Sequence, residues 1–272
     1  MTDADAEDLV AEALGAAVTL VRTGSGGDHR SWWVTASAGR YVLRSAPDTA
    51  TSRRLDREVR VRDVLRSHLA VPVPRAAATG TWRETRWTLD ERLPGVDLET
   101  APVTARTLED LSRFLRGLHA VPLGAVRAMG APDVLSPLLE PLRQQGRAAA
   151  RDLGRPGDLP LPGTDEDGPV VLHADLKGEH LLVDGSGGLT AVLDWSDAGT
   201  GDPALDVEGL VLAVGADGAR GVARGSGTPS VVVERGVFLA RCRSAVRWAA
   251  ALRGEPTGPE PLLRRQFHRA WG

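Results

Sequence analysis

The chain of 272 residues is poor in several residues whose abundance would define its class. It has one cysteine, Cys242, so no internal disulfide can form, and a core thiol on a helix face is expected. Lysine is as scarce. Of 33 basic residues, Lys177 alone is a lysine. No block of like charge is long enough for a nucleic-acid arm, and the formal net charge is only -3. Long apolar runs are missing as well. Stretches such as Leu210–Val214 and Val231–Val233 fall far short of a bilayer span. The N-terminal segment carries Asp3, Asp5, Glu7 and Asp8, with no basic patch ahead of an apolar run. No signal peptide is therefore expected, and a cytoplasmic location is. Neither nucleic acid nor membrane is expected as a partner. What is present is 42% hydrophobic content, enough for two modest lobes or one large domain, without any internal repeat.

Residues 6–22 read as a short helix leading into a strand. A glycine-rich turn, Gly24-Ser25-Gly26-Gly27, follows. Trp32-Trp33-Val34 and Tyr41-Val42-Leu43-Arg44 flank the turn signal at 37–39, giving strand, turn, strand. Residues 51–69 look helical, with Leu55, Val59, Val64 and Leu65 near one face. Val71-Pro72-Val73-Pro74 must be extended, because proline removes a donor and restricts its neighbour. Two more strands are expected at 77–83 and 86–92, ending at Leu93-Pro94-Gly95, which has the character of a linker. The remainder reads as largely helical, with helices at 104–119, 231–252 and 260–271 and a polar surface loop at 154–168.

The chemistry concentrates between 169 and 210. Val170-Val171-Leu172 is a short strand running into His173-Ala174-Asp175-Leu176-Lys177-Gly178-Glu179-His180. Leu181–Val183 and Leu189–Leu193 are strands joined by the turn Asp184-Gly185-Ser186-Gly187-Gly188, and Asp194-Trp195 closes the segment. An antiparallel hairpin brings its two open ends together, so His180 and Asp194 are expected side by side. Asp175 enters at the same end. Two carboxylates and an imidazole on one edge suit a divalent cation and a proton acceptor.

His173-x-Asp175-Leu176-Lys177 resembles the catalytic loop of eukaryotic-type kinases, and Leu193-Asp194-Trp195 resembles the metal-binding segment of aminoglycoside phosphotransferases. Phe114-Leu115-Arg116-Gly117-Leu118-His119 and Gly201-Asp202-Pro203-Ala204-Leu205-Asp206 are similar to the same family, and the resemblance extends over roughly residues 20–215. It implies an α+β, bilobal protein-kinase-like fold. Residues 1–94 would form a small antiparallel-sheet lobe with one main helix, holding ATP or GTP. Residues 95–272 would form a larger, mostly helical lobe carrying catalysis and the acceptor. The resemblance further implies that Asp175 takes or orients the acceptor proton and that Lys177 contacts the transferring phosphate. His180 and Asp194 would bind Mg²⁺. Arg44 would grip the phosphates with Glu58 as its helix partner, Gly24, Ser25, Gly26 and Gly27 would cover the nucleotide, and Glu91 to Leu93 would meet its base through main-chain groups.

Two departures matter. His180 stands where most relatives have Asn, which places a softer donor against a hard cation; macrolide phosphotransferases show the same exchange. Arg44 stands in place of a lysine and keeps the charge while changing the hydrogen-bond fork. His173 and His119 are expected to anchor loops, Asp202-Pro203 to start a helix, and Trp32, Trp33, Trp82 and Trp87 to form core or cleft wall. The leading function is O-phosphorylation of an antibiotic: an aminoglycoside, macrolide, tuberactinomycin peptide or nucleoside. A polycationic acceptor would need acids such as Asp197, Glu208 or Glu234, and a macrolide an apolar pocket from the helices at 209–214 and 231–251. Kinases of homoserine, choline or sugar, a nucleotide-binding regulator without activity, and a zinc hydrolase using His173, Asp175, His180 and Asp194 are the alternatives.

Overall fold

The computed structural model of the chain describes residues 1–23, 29–155, 157–163 and 168–272. The turn at Gly24, Ser25, Gly26 and Gly27 lies outside the described residues.

Helix α1 (Asp3–Leu14) starts on a capping box in which Thr2 and Asp5 satisfy each other's amides, and it ends at Gly15 in the left-handed region, φ 62°. It lies on a five-stranded antiparallel sheet made of β1 (Val18–Arg22), β2 (Arg30–Ala36), β3 (Gly39–Ser45), β4 (Ala76–Trp82) and β5 (Thr85–Glu91), in the order β1-β2-β3-β5-β4. Side chains alternate across the sheet. Trp32, Val34, Tyr41 and Leu43 face α1 and pack with Ala6 and Val10. Trp33, Val42 and Arg44 face the opposite way and line a cleft. The expected tryptophans thus divide: Trp32 and Trp87 are buried, and Trp33 stays 48% exposed on the cleft wall.

Between β3 and β4, Asp48 accepts the Thr51 N–H at 2.8 Å and starts α2 (Thr49–Leu65). Val61 and Leu65 of this helix, with Val73 of the extended 71–74 segment, belong to the large core of the C-terminal part rather than to the core under α1. Strand β3 and helix α2 therefore rest on separate apolar clusters.

The chain then crosses at Pro94-Gly95. Gly95 has φ 129°, and a Cβ there would lie 2.6 Å from Thr190 Oγ1, so this crossing requires glycine. After β6 (Val96–Asp97), Thr104 caps α3 (Ala105–His119), which buries Leu111, Phe114, Leu115 and Leu118. Short α4 (Leu123–Arg127), β7 (Asp133–Val134) and α5 (Leu139–Asp152) follow. Next come β8 (Val170–Leu172), β9 (Leu181–Val183), β10 (Leu189–Val192) and β11 (Gly199–Gly201). β9 pairs antiparallel with β10 and β6, and β11 lies between β7 and β8. Helices α6 (Ala204–Ser226), α7 (Ser230–Leu252) and α8 (Glu260–Trp271) complete the core. Among the described residues no helix is long and apolar enough to cross a membrane. Cys242 is buried against Gly146 of α5, and burial pushes its thiol up to about 12, which leaves it an unreactive core residue.

Helix α6 supports the segment that follows β8. At Gly209 a Cβ would sit 2.7 Å from the Leu176 carbonyl oxygen, a main-chain atom with little room to yield. Gly209→Ala is expected to destabilise the protein by about 1–3 kcal/mol through overpacking, read as a lower denaturant midpoint with an unchanged slope.

Candidate active site

The β9–β10 turn is closed by side-chain chemistry. Asp184 accepts the Ser186 hydroxyl at 2.6 Å and the amides of Gly188 and Ser186 at 3.0 and 2.8 Å, which together hold its carboxyl below the ordinary carboxylate value. The hairpin delivers its open end as expected. The Leu193 N–H donates to the His180 carbonyl at 2.8 Å, and Asp194 then turns out of the strand with φ 56°. His180 Nε2 lies 3.6 Å from Asp194 Oδ2. His180 Nδ1 donates to the Asp175 carbonyl at 2.7 Å. That acceptor places a hydrogen on Nδ1, and Nε2 is the nitrogen that faces Asp194.

The loop bearing Asp175 is fastened from below. Asp206, fully buried in the first turn of α6, accepts the main-chain N–H of Ala174 at 2.8 Å and of His173 at 3.3 Å, and meets His119 Nε2 at 3.1 Å. Ala174 takes φ 65°, a left-handed step that a non-glycine residue adopts only when its surroundings enforce it. His173 Nε2 donates to the Leu193 carbonyl at 2.8 Å, and its Nδ1 accepts the Asp175 N–H at 3.2 Å. Burial lowers its pKa, so the ring is neutral and both nitrogens are spent on the main chain. Trp195 packs edge-on against this ring at 4.6 Å and donates Nε1–H to the Val192 carbonyl. Lys177 Nζ lies 2.8 Å from Asp175 and 3.8 Å from Glu179.

Above the hairpin lies a cleft of about 570 Å³. Its roof holds a four-membered charge cluster. Arg44 donates from both terminal nitrogens to the two Glu58 oxygens at 3.0 and 2.7 Å, and from Nε to Asp90 at 3.1 Å. Arg62 donates to the other Asp90 oxygen at 2.9 Å and lies 3.7 Å from Glu58, one helical turn back. Glu58, Arg62 and Asp90 are all buried. Burial by itself would raise Asp90, but the Arg44 and Arg62 charges outweigh it and bring the carboxyl below its ordinary value. Two cations thus balance two anions inside the protein, the condition under which buried charge is tolerable. Sequence reasoning found Arg44 and Glu58 and missed Arg62 and Asp90.

At the end of the cleft, the Glu91 N–H donates to the Arg75 carbonyl and the Arg92 N–H to the Arg40 carbonyl, both at 2.9 Å. Leu93, whose N–H makes no hydrogen bond among the described residues, also lines the cleft. Arg92 stacks over Trp33 at 4.3 Å on the same wall.

The donor set at the open end of the hairpin fits a divalent cation. Burial would raise Asp194, but His180 and Arg44 outweigh it and lower its pKa, so the carboxylate is ionised at neutral pH. The 3.6 Å separation lets one carboxylate oxygen and one imidazole lone pair touch the same small ion, leaving its other positions to phosphate and water. The zinc hydrolase alternative lacks its ligands, because both His173 nitrogens are occupied and no group of three or more His, Cys, Asp or Glu residues is disposed to hold a metal among the described residues.

On the far side of Asp175 is a second cavity of about 190 Å³, bounded by α6, α7 and α8. Glu208 lies in its wall with Arg243 Nη1 donating at 2.7 Å. Asp197 and Glu234 are elsewhere, paired with Arg54 and Arg220.

A model of the phosphotransferase enzyme family matches residues 19–229. No curated protein sequence matches the chain. Among solved structures, the GDP complex of an aminoglycoside 2'-phosphotransferase-IIIa is 16% identical with a TM-score of 0.73, covering 99% of this chain and 97% of that one. A macrolide 2'-phosphotransferase from Brachybacterium faecium, solved as the apoenzyme, is 24% identical with a TM-score of 0.64, covering 96% and 97%. A spectinomycin phosphotransferase in complex with ADP and spectinomycin is 11% identical with a TM-score of 0.65, covering 98% and 94%. These likenesses establish the α+β fold expected from the sequence.

Burial raises Glu208 to about 7, more than Arg243 lowers it. A carboxyl whose pKa is raised on folding favours the folded state fully below its unfolded value and loses that contribution as pH climbs through the folded one. Glu208→Gln is therefore expected to gain stability relative to the native chain between about pH 5 and about pH 7.5, measured by thermal unfolding across that range. A flat difference would show that the group does not titrate there.

Proposed function

Because this chain belongs to the phosphotransferase enzyme family, we propose that it moves the terminal phosphoryl group of ATP or GTP to a hydroxyl of a small molecule, with antibiotics as the leading acceptor class. The observation that carries the reading is the convergence of Asp175, His180 and Asp194 at one end of a hairpin beneath a cleft roofed by Arg44. The complexes of relatives with GDP, with ADP and spectinomycin, and with ATP and streptomycin support both the nucleotide and the kind of acceptor.

In this reading residues 1–94 hold the nucleotide, and residues 95–272 carry catalysis and the acceptor site. The base enters between Trp33 and Val42 above and Leu182 and Leu193 below, and meets the Leu93 N–H and the main chain at Glu91. Arg44, positioned by Glu58 and Asp90, turns the unused part of its five-donor fork to the phosphates. His180 Nε2 and Asp194 would hold Mg²⁺, which supplies charge neutralisation on the phosphate oxygens. Asp175 accepts the hydroxyl proton as the acceptor oxygen bonds to the terminal phosphorus. The bond from that phosphorus to its bridging oxygen breaks, and the nucleoside diphosphate leaves with the electron pair. Lys177, 2.8 Å from Asp175, is placed to neutralise charge on the group in flight. Within the metabolic alternative, a kinase of homoserine, choline or a sugar, one observation favours homoserine alone: the arginines in the cavity beyond Asp175 suit a carboxylate and oppose a quaternary ammonium.

Asp175→Ala is expected to lower turnover by about 10²–10⁴ while nucleotide still raises the melting temperature in a Mg²⁺-dependent way. Asp194→Ala should lose that Mg²⁺ dependence. Normal turnover in Asp175→Ala would overturn the mechanism. The acceptor itself is to be found by the mass gain of one phosphoryl group across a panel of antibiotics and simple alcohols.

A further inference from the structure

The cavity beyond Asp175 carries a charge pattern that the phosphotransfer reading leaves unused. Its charged lining consists of Asp175, Lys177, Glu208, Arg243 and Arg247. Three cations thus face two carboxylates. Lys177 is matched by Asp175 at 2.8 Å, and Arg243 by Glu208 at 2.7 Å. Arg247 makes its hydrogen bond to the Thr257 carbonyl, at 3.2 Å, which satisfies one donor and cancels no charge. Arg243 and Arg247 are four residues apart on α7, so they share a helix face, an arrangement that like charges oppose unless an anion answers them. Glu208 compensates weakly, since burial holds it close to half-protonated at neutral pH.

The rest of the lining fits a small polar occupant. Leu205, Gly209 and Leu212 give one apolar side, and Gln266 and Ser244 are polar. The volume of about 190 Å³ lies below the range of roughly 300–1,000 Å³ usual for drug-sized ligands. Glu179, 3.8 Å from Lys177, lies just outside the lining, so the cation left without a carboxylate partner is Arg247, and a polyammonium acceptor would meet it unanswered.

We propose that this cavity is the acceptor subsite and that it selects a short hydroxy compound bearing a carboxylate, with Arg247 and Arg243 taking the carboxylate and Asp175 the hydroxyl. This rests on the phosphotransfer reading and takes its acceptor from the metabolic alternative in place of the antibiotics. Arg247 acts as a specificity-determining residue, and Arg243 does so while neutralising Glu208. The geometry assigns the cations to the acceptor and not to the nucleotide, because they line this cavity and not the cleft under Arg44.

The test uses the full chain with Mg²⁺ and ATP or GTP. Nucleoside diphosphate release is measured with three- to six-carbon hydroxy acids, their amides and the amino alcohols of equal length, alongside an aminoglycoside. The expected result is use of at least one hydroxy acid with kcat/KM well above that of its amide and its amine. Arg247→Gln should raise KM for that acid about 10- to 100-fold, the scale of one charge-assisted hydrogen bond. It should leave the amide and the nucleotide KM unchanged. Its melting temperature, compared with that of the native chain, separates lost recognition from lost folding. Preference for the amine or the aminoglycoside, equal use of all end groups, use of none, or a shift confined to the nucleotide KM each overturns the proposal. Failure of the phosphotransfer reading looks different: nucleotide then gives no Mg²⁺-dependent stabilisation in any variant.

Discussion

The site depends on one buried carboxylate. Asp206 has no access to solvent, and in the interior it takes two successive main-chain amides, His173 and Ala174, together with His119. Its place in the first turn of α6 adds the favourable end of the helix dipole. The bonded amides accompany the left-handed step at Ala174, and Asp175 beyond it lines the cavity bounded by α6, α7 and α8. His173 carries the constraint onward. With one nitrogen on the Asp175 amide and the other on the Leu193 carbonyl, it fixes the distance between loop and hairpin. The positions of Asp175, His180 and Asp194 are therefore consequences of packing under the site, and none of them rests on a surface loop alone.

The roof is organised by charge. Arg44 projects from a strand whose opposite face belongs to the core under α1, while Glu58 projects from a helix anchored by Val61 and Leu65 in the larger core. The Arg44–Glu58 fork thus ties two apolar units together in the roof of the cleft. Asp90 and Arg62 make the cluster electrically even, so that a buried guanidinium and two buried carboxylates coexist. Arg62 Nε has no hydrogen-bond partner among the described residues, which marks the rear of the cluster as incompletely satisfied.

Most of the elements and the heart of the site were legible from local pattern. The strands bearing Trp32 and Trp33 were legible, though not which of the two faces the core, and the Asp184–Gly188 turn was enough to place His180 beside Asp194. The remainder depended on distance along the chain. Asp206 meets His173 across 33 residues and Arg62 meets Asp90 across 28, so neither pairing has a local signature. Helix α5 lacks a side-chain cap and is rich in Arg and Gln, and β6, β7 and β11 are too short to show alternation. Among the acids considered for an acceptor pocket, Glu208 faces the cavity, whereas Asp197 and Glu234 are held by arginines on other surfaces.

The solitary ammonium on Lys177 gives this molecule an unusual spectroscopic transparency. A sample enriched with nitrogen-15 in lysine alone would emit from one residue in 272, and that residue's amine stands 2.8 Å from the Asp175 carboxylate. Magnetic resonance on such a sample observes the segment around Asp175 with no background from the rest of the chain.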